Sequence, residues 1–230
     1  MKDIVKRKDS LNVPLKDFDM SLNCIEPTEM RQGDWDSIAV IADASSSMNE
    51  SIQGGKQKIE AEIDALVNML KKGMADSKIY YIECPGEDGV PHAFVPTANA
   101  KLLISTVKTM RARGMTPMYE ALKLAYDKTR GQKVRFILMS DGQPNDCIEN
   151  DIFKLVTKKE VVIDTIGIGD PSSGNYDPDF LKEVARLTGG IYTEVHDYKQ
   201  FMKELYKLSP AERKAIGDGS APKKGGAIAL

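Results

Sequence analysis

Hydrophobic positions along the chain switch between two periods, and the switches mark out the elements. The run Ser37-Ile38-Ala39-Val40-Ile41-Ala42 is short, continuous and rich in Val and Ile, which predicts a strand buried on both faces and ending at Asp43. Ile52, Ile59, Ile63, Leu66 and Leu70 then fall on one helical face and predict a helix from about Ser51 to Lys72, stopped by Gly73. Lys78 to Glu83 reads as a second strand, and His92 to Pro96 as a short one whose proline suits a sheet edge. Leu103, Val107 and Met110 predict a helix over Ala100 to Arg113, and Met115-Thr116-Pro117 opens another with Met118, Leu122 and Ala125 inward. Val134 to Ser140 is a further buried strand. Ile148, Ile152 and Leu155 mark a fourth helix, Val161 to Ile168 a strand, Phe180 to Leu187 a fifth helix, Ile191 to Val195 a last strand, and Phe201, Leu205 and Leu208 a final helix.

Strands separated by helices of this length require right-handed crossovers and a mostly parallel sheet with helices on both faces. The fold class expected is α/β, doubly wound and Rossmann-like. Residues 1–34 are polar and aperiodic, with Pro14, Pro27 and Gly33 as breakers, and read as an N-terminal extension. The folded domain is expected over 35–208. Residues 209–230, with the linker-like stretch Gly217 to Gly226, read as a flexible C-terminal tail.

Charge narrows the choice of partners. The net charge of -2, with acidic and basic residues interspersed, leaves no positive field for nucleic acid or an anionic membrane. No run is apolar enough to span a bilayer, and the N-terminus lacks the apolar core of a secretory signal, so a cytoplasmic location is expected. Cys24, Cys84 and Cys147 have no metal-ligand spacing and read as reduced thiols. His92 and His196 stand alone, and Ile166-Gly167-Ile168-Gly169-Asp170 lacks the third glycine and following helix of a phosphate-binding loop.

The chemistry gathers at strand ends. Alternate residues of an extended segment point the same way, so Asp43, Ser45 and Ser47 can converge while Ala44 and Ser46 turn aside. Thr116 opens a helix and Asp141 ends the strand that begins at Val134. If the strands ending at Asp43 and Asp141 are neighbours where the strand order reverses, both carboxylates face one crevice. Two carboxylates and three hydroxyls, without His or Cys, suit a hard divalent cation such as Mg²⁺ or Mn²⁺ and leave a coordination position for an outside oxygen. Each piece has a plainer reading as an N-cap or turn: the serines before a helix, Thr116-Pro117, and Asp141-Gly142.

The pattern Asp43-x-Ser45-x-Ser47, then Thr116, then Asp141-Gly142, on alternating strands and helices, resembles the von Willebrand factor A domain and its metal-ion-dependent adhesion site. The resemblance covers roughly residues 35–208 and fills all five positions of that site. It implies a six-stranded sheet with one antiparallel edge strand, which fits the run at His92. It also implies metal coordination by Ser45, Ser47 and Thr116, with Asp43 and Asp141 bound directly or through water. A partner's acidic side chain would complete the shell. Without a signal peptide, the chain resembles the intracellular bacterial members, some of which act beside AAA+ ATPases, kinases or phosphatases.

The leading expectation is a protein-interaction module, not an enzyme, that takes a Glu or Asp carboxylate of its partner through Mg²⁺ or Mn²⁺. A structural or assembly subunit joined through its terminal arms is the alternative. A metal-dependent phosphoryl-transfer or hydrolytic enzyme is a third, since Asp43 follows the first strand as an aspartate nucleophile would. Against the third, Ala44-Ser45 offers no second acid beside Asp43, and no Lys or His is evident at the site.

Overall fold

The computed structural model describes residues 35–195, apart from 36, 53–54, 73–77, 160, 171–173 and 175. The expected extension, final helix and tail, together with Cys24 and His196, lie outside the described residues. The strands are β1 (Ser37–Asp43), β2 (Lys78–Cys84), β3 (His92–Ala93), β4 (Val134–Ser140), β5 (Ile163–Ile168) and β6 (Tyr192–Val195). The helices are α1 (Lys58–Lys72), α2 (Ala100–Val107), α3 (Met118–Lys128), α4 (Glu149–Thr157) and α5 (Pro178–Thr188). They form one six-stranded sheet in the order β3-β2-β1-β4-β5-β6. All neighbours are parallel except β3, which pairs antiparallel with β2 at the edge.

This is the doubly wound α/β arrangement the strand and helix pattern predicts, and β1 to β4 is where the winding reverses. Alternation along β1 divides the core in two. Ile38, Val40 and Ala42 face one side, packed with Leu66 and Leu70 of α1 and Leu103 and Val107 of α2. Ala39 and Ile41 face the other, packed with Leu122 of α3, Ile152 of α4 and Leu181 of α5. With both faces covered, the central strands are apolar throughout, which is why they read as unbroken hydrophobic runs. A buried ion pair ties β4 to β5: Arg135 donates to both carboxylate oxygens of Asp164 at 2.5 Å.

Several boundaries differ from the sequence expectation. Helix α1 begins at Lys58, seven residues later than the spacing of Ile52 and Ile59 suggested. Between β1 and α1 run a 3-10 turn, Ser46–Asn49, and a tight loop in which Ser51 pairs with Gln57 and the Ile52 amide donates to the Lys56 carbonyl. Helix α2 stops at Val107, and Met110 reaches the core from an irregular segment instead of a helical face. Ile148 precedes α4 and is exposed, while Ile152 and Val156 are the buried anchors of that helix. Cys84 and Cys147 are free thiols, as expected. Among the described residues no helix is long and apolar enough to cross a membrane.

Candidate metal centre

Asp43 and Asp141 follow each other across the switch point, at the carboxyl ends of the paired strands β1 and β4. Both are buried, Asp43 at 2% exposure and Asp141 at 0%. The loop after β1 folds so that the Ser45 amide donates to Asp43 Oδ1 at 2.8 Å, and the hydroxyls of Ser45 and Ser47 lie 3.0 Å apart. Ala44 turns into the core and Ser46 is exposed, so the alternation read from the sequence is the observed one. Thr116 arrives on a separate segment. That segment is held against the β1 loop by backbone bonds from the Arg113 amide to the Ala44 carbonyl and from the Ser46 amide to the Gly114 carbonyl. Thr116 is buried, and its side of the site shares one recess with Asp43, Cys84 and Met139.

The plainer roles of these hydroxyls are not the ones observed. Helix α3 has Pro117 at its N-cap, and its first free amides, those of Tyr119 and Glu120, are taken by the Asp146 carboxylate from the β4–α4 loop. Ser45 precedes the 3-10 turn without a side-chain capping bond. Thr116 is instead positioned through its backbone, its amide donating to Asn145 Oδ1 at 2.9 Å and its carbonyl accepting from the Asn145 amide at 3.0 Å. Asn145 and Asp146 thus join the second and third donor segments, a role sequence spacing did not reveal.

Charge at the site is under-compensated. Burial, and then the charge of Asp141, push the Asp43 carboxyl up to about 7, although Ser140 donates to Asp43 Oδ2 at 2.5 Å. Burial likewise raises Asp141, opposed by Ser47 and Lys58. Lys58, buried at 1% exposure, donates to Asp141 Oδ2 at 3.3 Å and to Glu50 Oε2 at 2.8 Å. This lysine is a neighbour of the site that the sequence spacing did not reveal, ion-paired to two carboxylates. Asp141 Oδ1 is buried with no hydrogen-bond partner, and so are both oxygens of Glu62, one helical turn after Lys58 on α1. Burial, with the charge of Asp43 added, holds the Glu62 carboxyl well above its usual range.

These features fit a divalent cation. Two neighbouring buried carboxylates, one oxygen of which lacks any partner, are costly without positive charge beside them. No group of three or more His, Cys, Asp or Glu able to hold an ion is found among the described residues, so an ion here must draw on hydroxyl oxygens as well as carboxylates.

Two expected results follow from this geometry. In metal-free protein the Asp43 carboxyl, raised from about 3.8 to about 7, holds a proton that the unfolded chain has already released. Stability is therefore expected to fall as pH rises from about 4 through about 7, with Glu62, raised in the same way, adding to the fall, in urea unfolding of chelator-treated protein. Gly142, with φ of 90°, has no room for a side chain, since a Cβ there would lie 2.3 Å from the Asp177 carbonyl oxygen. Gly142→Ala is expected to cost at least about 1–3 kcal/mol of stability in the same assay. It should also displace Asp141, whose carbonyl accepts from the Asp177 amide.

Comparison with known proteins bears on the family and the fold. A family model described as von Willebrand factor type A domain matches residues 36–194. No curated protein matches in sequence. Among solved structures, a von Willebrand factor type A protein from Catenulispora acidiphila aligns with a TM-score of 0.61 at 17% identity, over 76% of this chain and 42% of that one. An aerotolerance-related membrane protein from Bacteroides fragilis aligns at 0.58 and 16% identity, over 74% of this chain and 96% of its own. The vWF domain of the type V pili tip protein Mfa5 from Porphyromonas gingivalis aligns at 0.57 and 15% identity, over 84% and 97%. At such identities these likenesses speak to the fold.

Proposed function

The chain belongs to the von Willebrand factor type A domain family, and from that membership we propose that it is a metal-dependent protein-interaction module that takes an acidic side chain of its partner. Domains of this family are generally protein-interaction modules. The observation that carries the finer reading is the partnerless, buried Asp141 Oδ1 beside a second buried carboxylate, with hydroxyls nearby that cap no helix. Asp43, Ser45, Ser47, Thr116 and Asp141 would hold Mg²⁺ or Mn²⁺. When bound, that ion supplies a Lewis-acidic position for an anionic oxygen from outside.

The chain's own residues prepare that position. Ser140 and the Ser45 amide fix the Asp43 carboxylate from two directions, so neither oxygen is free to swing. Asn145 fixes Thr116, and Lys58 fixes Asp141 by one oxygen. Burial of Asp43, Ser45, Thr116 and Asp141 excludes bulk water, so a carboxylate brought by a partner meets the site at low dielectric, where charge-assisted contacts are strong. Lys58 gives the enzymatic alternative its one supporting group. Its ammonium is already bonded to two carboxylates and is 1% exposed, which suits a counter-charge better than a proton carrier. We propose protein partners, which the interspersed charge supports, and a cytoplasmic location.

The test is capture of partner protein from cells that make this chain. Immobilised chain charged with Mg²⁺ is expected to retain a partner that EDTA releases and that Asp43→Ala never retains. Equal retention by all three would remove the proposal.

A further inference from the structure

Lys58 and Glu50 meet at the side of the centre and are tied together twice, by their side chains and by the Lys58 amide donating to the Glu50 carbonyl at 2.8 Å. Glu50 in turn closes the turn that carries Ser47, its amide donating to the Ser47 carbonyl. Through Lys58 Nζ this unit reaches across to Asp141 Oδ2 on β4. The lysine therefore bridges two of the three donor segments. It also divides the labour of Asp141, occupying Oδ2 and leaving Oδ1 with no partner.

We propose that Lys58 is a built-in counter-cation: it holds Asp141 in place without a metal, shares that carboxylate with the ion, and by its charge keeps ion affinity low and the ion exchangeable. The inference deepens the reading of the five oxygens as an ion site and rests on it. A buried unit charge on the same carboxylate opposes a divalent ion strongly in a medium of effective dielectric about 20. A chain selected only for tight metal binding would carry no such charge there. Glu50, half-exposed at the rim, tempers the opposition by pairing with the ammonium.

Removing the charge while keeping the aliphatic stem should therefore tighten ion binding, whereas a lysine serving only as structural glue would weaken it when replaced. The experiment is calorimetric titration of the full chain with Mn²⁺ at pH 8. Lys58→Met is expected to bind about tenfold tighter than the native chain or more. Native-like binding in Lys58→Met, or weaker, overturns the inference while leaving the ion site itself standing. Absence of Mn²⁺ binding by the native chain overturns both. Should Lys58→Met fail to fold, Lys58→Gln, which also removes the charge, decides alone: tighter binding supports the inference, and unchanged or weaker binding overturns it.

Discussion

Asp43→Asn is expected to abolish divalent-ion binding while leaving the metal-free fold at least as stable as the native chain. The two effects separate because Asp43 is costly where it stands. It is buried, faces Asp141, and is pushed up to about 7, so above that pH the metal-free protein carries an uncompensated buried charge. Asparagine keeps an acceptor for the Ser45 amide and removes the charge. Loss of this charge from the ion's shell, whether Asp43 binds directly or through water, is expected to weaken the ion by at least about a hundredfold. Thermal unfolding with and without Mg²⁺ reads both effects. At an ion concentration about 100 times the native Kd the native chain should gain about 2.7 kcal/mol, and the variant at most about 0.4 kcal/mol. A residue kept for folding alone would show the reverse, a loss of metal-free stability with no ion dependence.

Arg135→Leu is expected to be the most damaging single change for stability, at about 3–5 kcal/mol. Arg135 is 6% exposed, and both its bonds run to Asp164, which is fully buried on β5 and also accepts from the Ile191 amide at 3.0 Å. Replacing the arginine strands that carboxylate in the core. The burial penalty, not the lost attraction, sets the size of the effect. Pairing Arg135→Leu with Asp164→Leu should recover more than half of the loss in urea unfolding. Two additive losses would mean that Arg135 and Asp164 are not energetically coupled, against this account.

The elements that sequence patterning captured best are those whose burial is two-sided. Strand β4 runs from Val134 to Ser140 as expected, because a strand covered on both faces must be apolar at every position and its ends are then visible. The start of α1 was not visible. Ile52 and Ile59 stand seven residues apart, which mimics two helical turns, while Gly55 between them, at φ of 80°, sits in the loop that is formed. The five candidate donors were named from their types and their places at strand and helix ends, and the fold brings their segments to one end of the sheet. Their supports were not: Asp146 caps α3 from 26 residues or more away in sequence, and Asn145 holds Thr116 from 29. Lys58 and Glu62 left one usable signal. Stepping back by fours from Leu70 through Leu66 gives Glu62 and then Lys58, so two charged residues extend a buried stripe, a pattern that calls for a buried polar partner.

The central claim is that two acids and three alcohols from distant parts of the chain share one ion. Calorimetric titration of chelator-treated protein with Mn²⁺ at pH 8, above the titration of Asp43, tests it most directly. One ion per chain is expected, with binding lost in Asp43→Ala and sharply weakened in Thr116→Ala. No binding by the native chain, or the same binding in Thr116→Ala as in the native chain, would contradict the account.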